Sequence, residues 1–105
     1  MGIKSWIETA GEPVADTCFL PDEVPPLPYI VFLDTIGRGG GDMQNMMRTH
    51  SLTVERYSET NDDNIALEAL FDEQAIKYKK EKQWLSDEGC YMTIYDFDLI
   101  EREVI

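Results

Sequence analysis

All five prolines of this 105-residue chain fall in one stretch, at positions 13, 21, 25, 26 and 28. Proline lacks an amide hydrogen and holds φ fixed, so the stretch excludes both a helix and a central strand. Residues 12–28 therefore read as an extended arm, with Val14, Cys18 and Phe19 as its anchors. Ahead of the arm, Ile3, Trp6, Ile7 and Ala10 recur at helical spacing until Gly11 and Pro13 end the pattern, which predicts a short amphipathic helix within residues 1–10. Residues 29–102 must supply the rest of a single domain, since a chain of this length has one core.

Within that body, Tyr29-Ile30-Val31-Phe32-Leu33-Asp34 is a β-branched and aromatic run bounded by turn formers, which predicts a central strand covered on both faces. Residues 50–58 alternate, with Leu52, Val54 and Arg56 on one side and Thr53, Glu55 and Tyr57 on the other, as in a half-solvated strand. Asn61-Asp62-Asp63 supplies a cap and an acidic first turn for a helix over about residues 62–75, whose apolar face carries Leu67, Leu70 and Phe71. Residues 77–85 alternate again, and Ser86-Asp87-Glu88-Gly89 turns the chain into a last strand over residues 90–100. On that strand Tyr91, Thr93, Tyr95, Phe97 and Leu99 share one face and read as core. Two hairpins separated by a helix, with another helix at the start, predict an α+β fold: a four-stranded antiparallel sheet with two helices packed on one face.

The first hairpin is joined through Ile36-Gly37-Arg38-Gly39-Gly40-Gly41-Asp42, which holds four of the chain's seven glycines. It does not fit a phosphate loop, which requires Lys and then Ser or Thr after its last glycine, and Asp42 would repel the anion. The spacing does not match a dinucleotide fingerprint either. With no side chain on Gly37, Gly39, Gly40 or Gly41, the segment is expected to be a mobile hairpin tip with Arg38 and Asp42 as its charged positions.

Nine Lys and Arg stand against 21 Asp and Glu, a net charge of -12, which disfavours nucleic-acid phosphates and anionic membranes as partners and favours protein. No apolar run reaches the length of a signal sequence or a membrane span, so a soluble cytosolic protein is expected. Cys18 and Cys90 are too few and too far apart for a zinc pattern and read as reduced, buried small hydrophobes. His50, the single histidine, stands at the mouth of a strand and reads as a surface residue. Asp96 and Asp98 share a strand face near Glu101, the one arrangement in which carboxylates suggest a magnesium site, but acid is spread along the whole chain and a solvated edge explains the pair. No nucleophile elbow and no cysteine with a candidate base is present, so no catalytic residue, metal or cofactor is assigned.

The ordered pieces Pro28-Tyr29-Ile30-Val31-Phe32-Leu33-Asp34, then His50 with Leu52 and Val54-Glu55-Arg56-Tyr57, the helix with Ala66-Leu67-Glu68-Ala69-Leu70-Phe71, Tyr78 with Trp84-Leu85, and Glu88-Gly89-Cys90-Tyr91-Met92-Thr93-Ile94-Tyr95-Asp96-Phe97 resemble the small tail-completion, tail-terminator or head-tail joining proteins of long-tailed phages and prophages of Gram-positive hosts. The resemblance spans residues 28–102. It implies an α+β ring subunit acting by assembly, with other copies of itself and tail-tube or connector proteins as partners, in the host cytoplasm and then in the virion, with DNA only passing through. It carries no catalytic motif. For the glycine segment it suggests a tip ordered by a neighbouring subunit, and Asp96 and Asp98 become candidate assembly residues. The acidic balance also fits another class of protein, a small DNA mimic that occupies the groove of a nucleic-acid enzyme.

Overall fold

A computed structural model describes residues 2–39 and 47–102. The fold is α+β, with helix α1 (Ile3–Glu8), strands β1 (Val14–Asp16), β2 (Tyr29–Gly39) and β3 (Met47–Ser58), helix α2 (Ile65–Glu73), and strands β4 (Lys79–Leu85) and β5 (Cys90–Arg102). The strands form one five-stranded sheet in the order β1-β2-β3-β5-β4. All pairings are antiparallel except β1 with β2, which are parallel, so the expected four-stranded antiparallel sheet is corrected to a five-stranded mixed one.

The extra strand comes from the arm. Residues 14–16 lie between Pro13 and Pro21, keep all their amide hydrogens, and pair on one side only, which is the edge position that nearby prolines permit. Thr17 then takes a left-handed φ of 72° and turns the chain out of the strand. Three residues are too few to show an alternation, so nothing in the sequence marked them as a strand.

The inner face of the sheet carries Ile30 and Phe32, Leu52 and Val54, and Tyr95 and Phe97; Trp6 and Ile7 from α1 and Leu67 and Phe71 from α2 close over them. Phe71 is the hub, with ring centroids 4.7 Å from Phe97, 5.3 Å from Tyr95, 5.4 Å from Tyr78 and 5.9 Å from Trp6. The tilted and edge-on ring angles suit the aromatic quadrupole. Helix α2 begins later than expected. Its N-cap is Asn64, whose Oδ1 accepts from the Leu67 amide at 3.0 Å, because the carbonyl of Asp62 is held by Arg56 and the carboxylate of Asp63 by Lys80 and Lys82.

The glycine segment also differs from expectation. Ile36, Gly37, Arg38 and Gly39 continue β2 and pair with His50, Thr49, Arg48 and Met47 of β3, so half of the expected loop is ladder; Gly40, Gly41 and Asp42 lie outside the described residues. Glycine weakens a strand by its entropy, but here the ladder bonds on the β3 side are made regardless of side chain. A Cβ at Gly37 would meet nothing within 4 Å, so the pairing does not demand glycine there.

Candidate functional site

Pairing of β1 with β2 ends at Asp16 and Phe32, and pairing of β4 with β5 starts at Lys79 and Asp96. Beyond those points residues 33–39 of β2 and 97–102 of β5 flank β3 as a three-stranded tongue. Among the described residues no strand pairs with either outer edge of this tongue. Leu33 is 40% exposed and Ile36 is 53% exposed on it, so both of its faces carry uncovered apolar surface. The molecule measures 50 × 29 × 22 Å, long in one direction.

The two aspartates singled out from the sequence lie on the outer face of the sheet. Asp98 accepts from Ser51 Oγ at 3.1 Å and Asp96 from Thr53 Oγ1 at 2.7 Å, and Leu33, Thr53, Asp96 and Lys79 form one row across four strands. The carboxylates are thus bonded to hydroxyls of β3 in an exposed ladder. Among the described residues no group of three or more His, Cys, Asp or Glu is gathered to hold a metal ion. Gly37 is on the same outer face of the tongue, and Arg38 and Gly39 occupy its last ladder positions, so the structure brings four of the sequence candidates, Asp98, Gly37, Arg38 and Gly39, onto one projecting element and sets Asp96 at its root.

His50 is buried rather than on the surface, at 5% exposure, and its Nδ1 sits 2.8 Å from Asp34 Oδ2. The other carboxylate oxygen of Asp34 is buried without a hydrogen-bond partner among the described residues. The pair is on the inner face, where Asp34 stands opposite Leu52, and the signal for it was parity: His50 shares the side of Leu52 and Val54. Cys18 corrects the other way, since it is exposed while Cys90 is buried.

The feature that the sequence did not announce is a groove on the outer face, at the end of the sheet away from the tongue's tip. The arm crosses there and encloses an open cavity of about 610 Å³ with the starts of β2 and β5 and the end of β3. Tyr29 forms its wall, tilted against Tyr57 at 5.2 Å and edge-on to Phe19 at 5.3 Å, and Glu55, Glu88 and the two cysteines line it together with a mostly apolar set from the arm, Val31 and Leu85. Tyr57 donates its hydroxyl to Glu55 Oε1 at 2.9 Å. Burial, then that hydrogen bond, raises the Tyr57 phenol above its ordinary range; burial, then the charge of Glu88, raises the Cys90 thiol. A raised thiol stays protonated at neutral pH and is a poor nucleophile. The groove is therefore an apolar and aromatic surface with carboxylates of Glu55 and Glu88 in its lining.

No protein-family model matches the chain, and no curated protein sequence matches it.

Proposed function

We propose that the chain is an assembly subunit of a long-tailed phage or prophage, a ring component at the head-tail junction or the tail end that acts through protein-protein contacts. One observation carries this reading: the three-stranded tongue, both of whose edges are unpaired among the described residues. Unpaired strand edges template further pairing, and proteins that stay monomeric blunt them with lysine, proline, bulges, a covering element or an inward charge, of which this edge has Asp34. Residues 33–39 of β2 contain no lysine or proline and expose Leu33 and Ile36, which suits an edge completed by another chain. The partners are other copies of the same chain and tail-tube or connector proteins. A surface of net charge -12 repels DNA, as a passage for that polymer should.

The DNA-mimic reading needs its carboxylates in a stripe spaced like phosphates. Beside α2 the acids do not supply such a stripe: Asp63 is bonded by Lys80 at 2.8 Å and Lys82 at 2.7 Å, and Glu68 by Lys80 at 2.7 Å, so lysines offset their charge. The test is deletion in a phage or prophage. Filled heads and polymerised tails that fail to join, or tails of uncontrolled length, are expected. Infectious particles at normal yield would end this proposal and return attention to the mimic.

A further inference from the structure

The amides and carbonyls of a strand point alternately to its two sides, so two observed bonds fix the direction of the others. On β2 the Ile30 amide donates to the Pro13 carbonyl and the Phe32 carbonyl accepts from the Thr17 amide, each at 2.8 Å. The main-chain groups of Ile30 and Phe32 therefore face β1, and those of residues 31, 33, 35 and 37 face β3. Beyond the end of β1 the same alternation turns the main-chain groups of Asp34, Ile36 and Arg38 outward, to a side where no described strand stands.

This free edge, residues 33–39, has Ile36 at its middle. A second copy laid antiparallel about a two-fold axis at Ile36 matches the edge along its whole length, with Ile36 opposite Ile36, Asp34 opposite residue 38 and Thr35 opposite Gly37. The outward groups then form the hydrogen-bonded pairs, each exchanging both bonds, and Thr35 with Gly37 forms the closer non-bonded pair. Moving the axis to Thr35 or Asp34 runs the second strand onto Phe32, whose carbonyl Thr17 already holds. The exposed side chains of the edge, Leu33, Thr35 and Ile36, are uncharged, and Asp34 is turned inward to His50 at 2.8 Å. In a chain of net charge -12 such an edge admits another acidic copy, whereas the β5 edge of the tongue exposes Asp98. Pairing there also covers Ile36, 53% exposed, with its own counterpart on the inner face of a joined sheet.

We propose that two copies of the chain pair edge to edge along residues 33–39 of β2, antiparallel about Ile36, so that their sheets join into one. The contact is isologous and closes a pair; a ring needs a further, heterologous contact. The inference rests on the assembly role above and names a second copy as the strand that completes this edge.

Sedimentation velocity and thiol cross-linking test it at about 0.15 M salt, where charges more than about 8 Å apart are screened. Wild-type protein should form dimers, and Ile36→Pro should weaken them about tenfold or more, since it removes an outward amide from each copy. That amide lies on the side away from β3, so the variant monomer should keep its fold. Cross-linking reads the register without relying on that variant. In a background of Cys18→Ser, which removes the exposed thiol, Thr35→Cys mixed with Gly37→Cys should give disulfide-linked dimers on oxidation with diamide. The opposed Cα atoms lie about 4.5 Å apart in such a pair, and each variant alone should link about tenfold more slowly. Gly37 accepts the new side chain, since a Cβ there would meet nothing within 4 Å. Thr35→Cys alone linking as fast as the mixture, or a mixture that does not link, would overturn the contact, and so would undiminished association of folded Ile36→Pro; wild-type association by another route then leaves the assembly role standing. Wild type that stays monomeric at about 0.1 mM would also overturn the contact, and the phage deletion judges the assembly role separately.

Discussion

Arg56 shows how one residue ties three parts of the chain together. Its Nε and Nη2 donate to the two carboxylate oxygens of Glu12, each at 2.9 Å, and its Nη1 to the carbonyl of Asp62 at 2.8 Å, so the arm's start and the loop before α2 meet on β3. The side chains of Arg56 and Glu12 are only 8% and 13% exposed. Removing one partner of a buried pair strands the other charge, so Glu12→Ala should cost about 3 to 5 kcal/mol in urea unfolding; a loss near zero would mean the guanidinium reaches water. Tyrosines make a pH prediction. Tyr95 donates to Glu68 Oε2 at 2.6 Å and Tyr57 to Glu55 Oε1 at 2.9 Å, and burial first, then the carboxylate, raises both phenols. Unfolded tyrosine titrates near about 10, so the native state holds these protons more tightly. Their stabilisation is complete below about pH 10 and is lost as pH rises toward the folded values, with a slope approaching roughly two protons. Urea midpoints measured from about pH 9 to about pH 11 should show this fall, and Tyr57→Phe should make it shallower.

Among the elements, α2 is held by two different means. Its apolar side, Leu67 and Phe71, is fully buried against the sheet, while Asp63 and Glu68 are bonded by Lys80 and Lys82 of β4 at its edge. The ion pairs are a quarter to a third exposed and contribute little individually. Packing dominates, so Leu67→Ala should lower stability by about 2 to 5 kcal/mol through transfer and cavity terms. A thermal midpoint unchanged by that substitution would show that α2 is not docked on Phe32, Val54 and Tyr95.

Over the whole molecule, two helices close one end of the sheet, and the tongue keeps buried Leu52, His50 and Phe97 near its root while exposing Leu33 and Ile36. On the assembly reading proposed above, the tongue is the part that makes the contacts. Asp98→Lys, on the exposed outer face of the tongue, should change stability by no more than about 0.5 kcal/mol, since surface substitutions seldom do more. It should nevertheless impair head-tail joining, scored as infectious yield from a complemented deletion phage, because it alters the charge match between partners. Normal yield with Asp98→Lys would remove this face from the contact.

The sequence by itself determined the class and most of the elements, because period and proline act locally: the 3.6-residue recurrence through Trp6 and Ile7, the alternation from Leu52 to Arg56, and the aromatic row of Tyr95 and Phe97 each state which side faces the core. Tertiary structure decided what depends on distant partners. The strand at residues 14–16 exists only because Ile30 and Phe32 offer an edge, and the ladder through Gly37 exists because β3 runs alongside. His50 is buried because Asp34, sixteen residues away, receives it. The groove needs the arm laid across Tyr29 and Tyr57, a fold-back that no local pattern encodes, since proline restricts where a chain cannot pair and leaves open what it will cover.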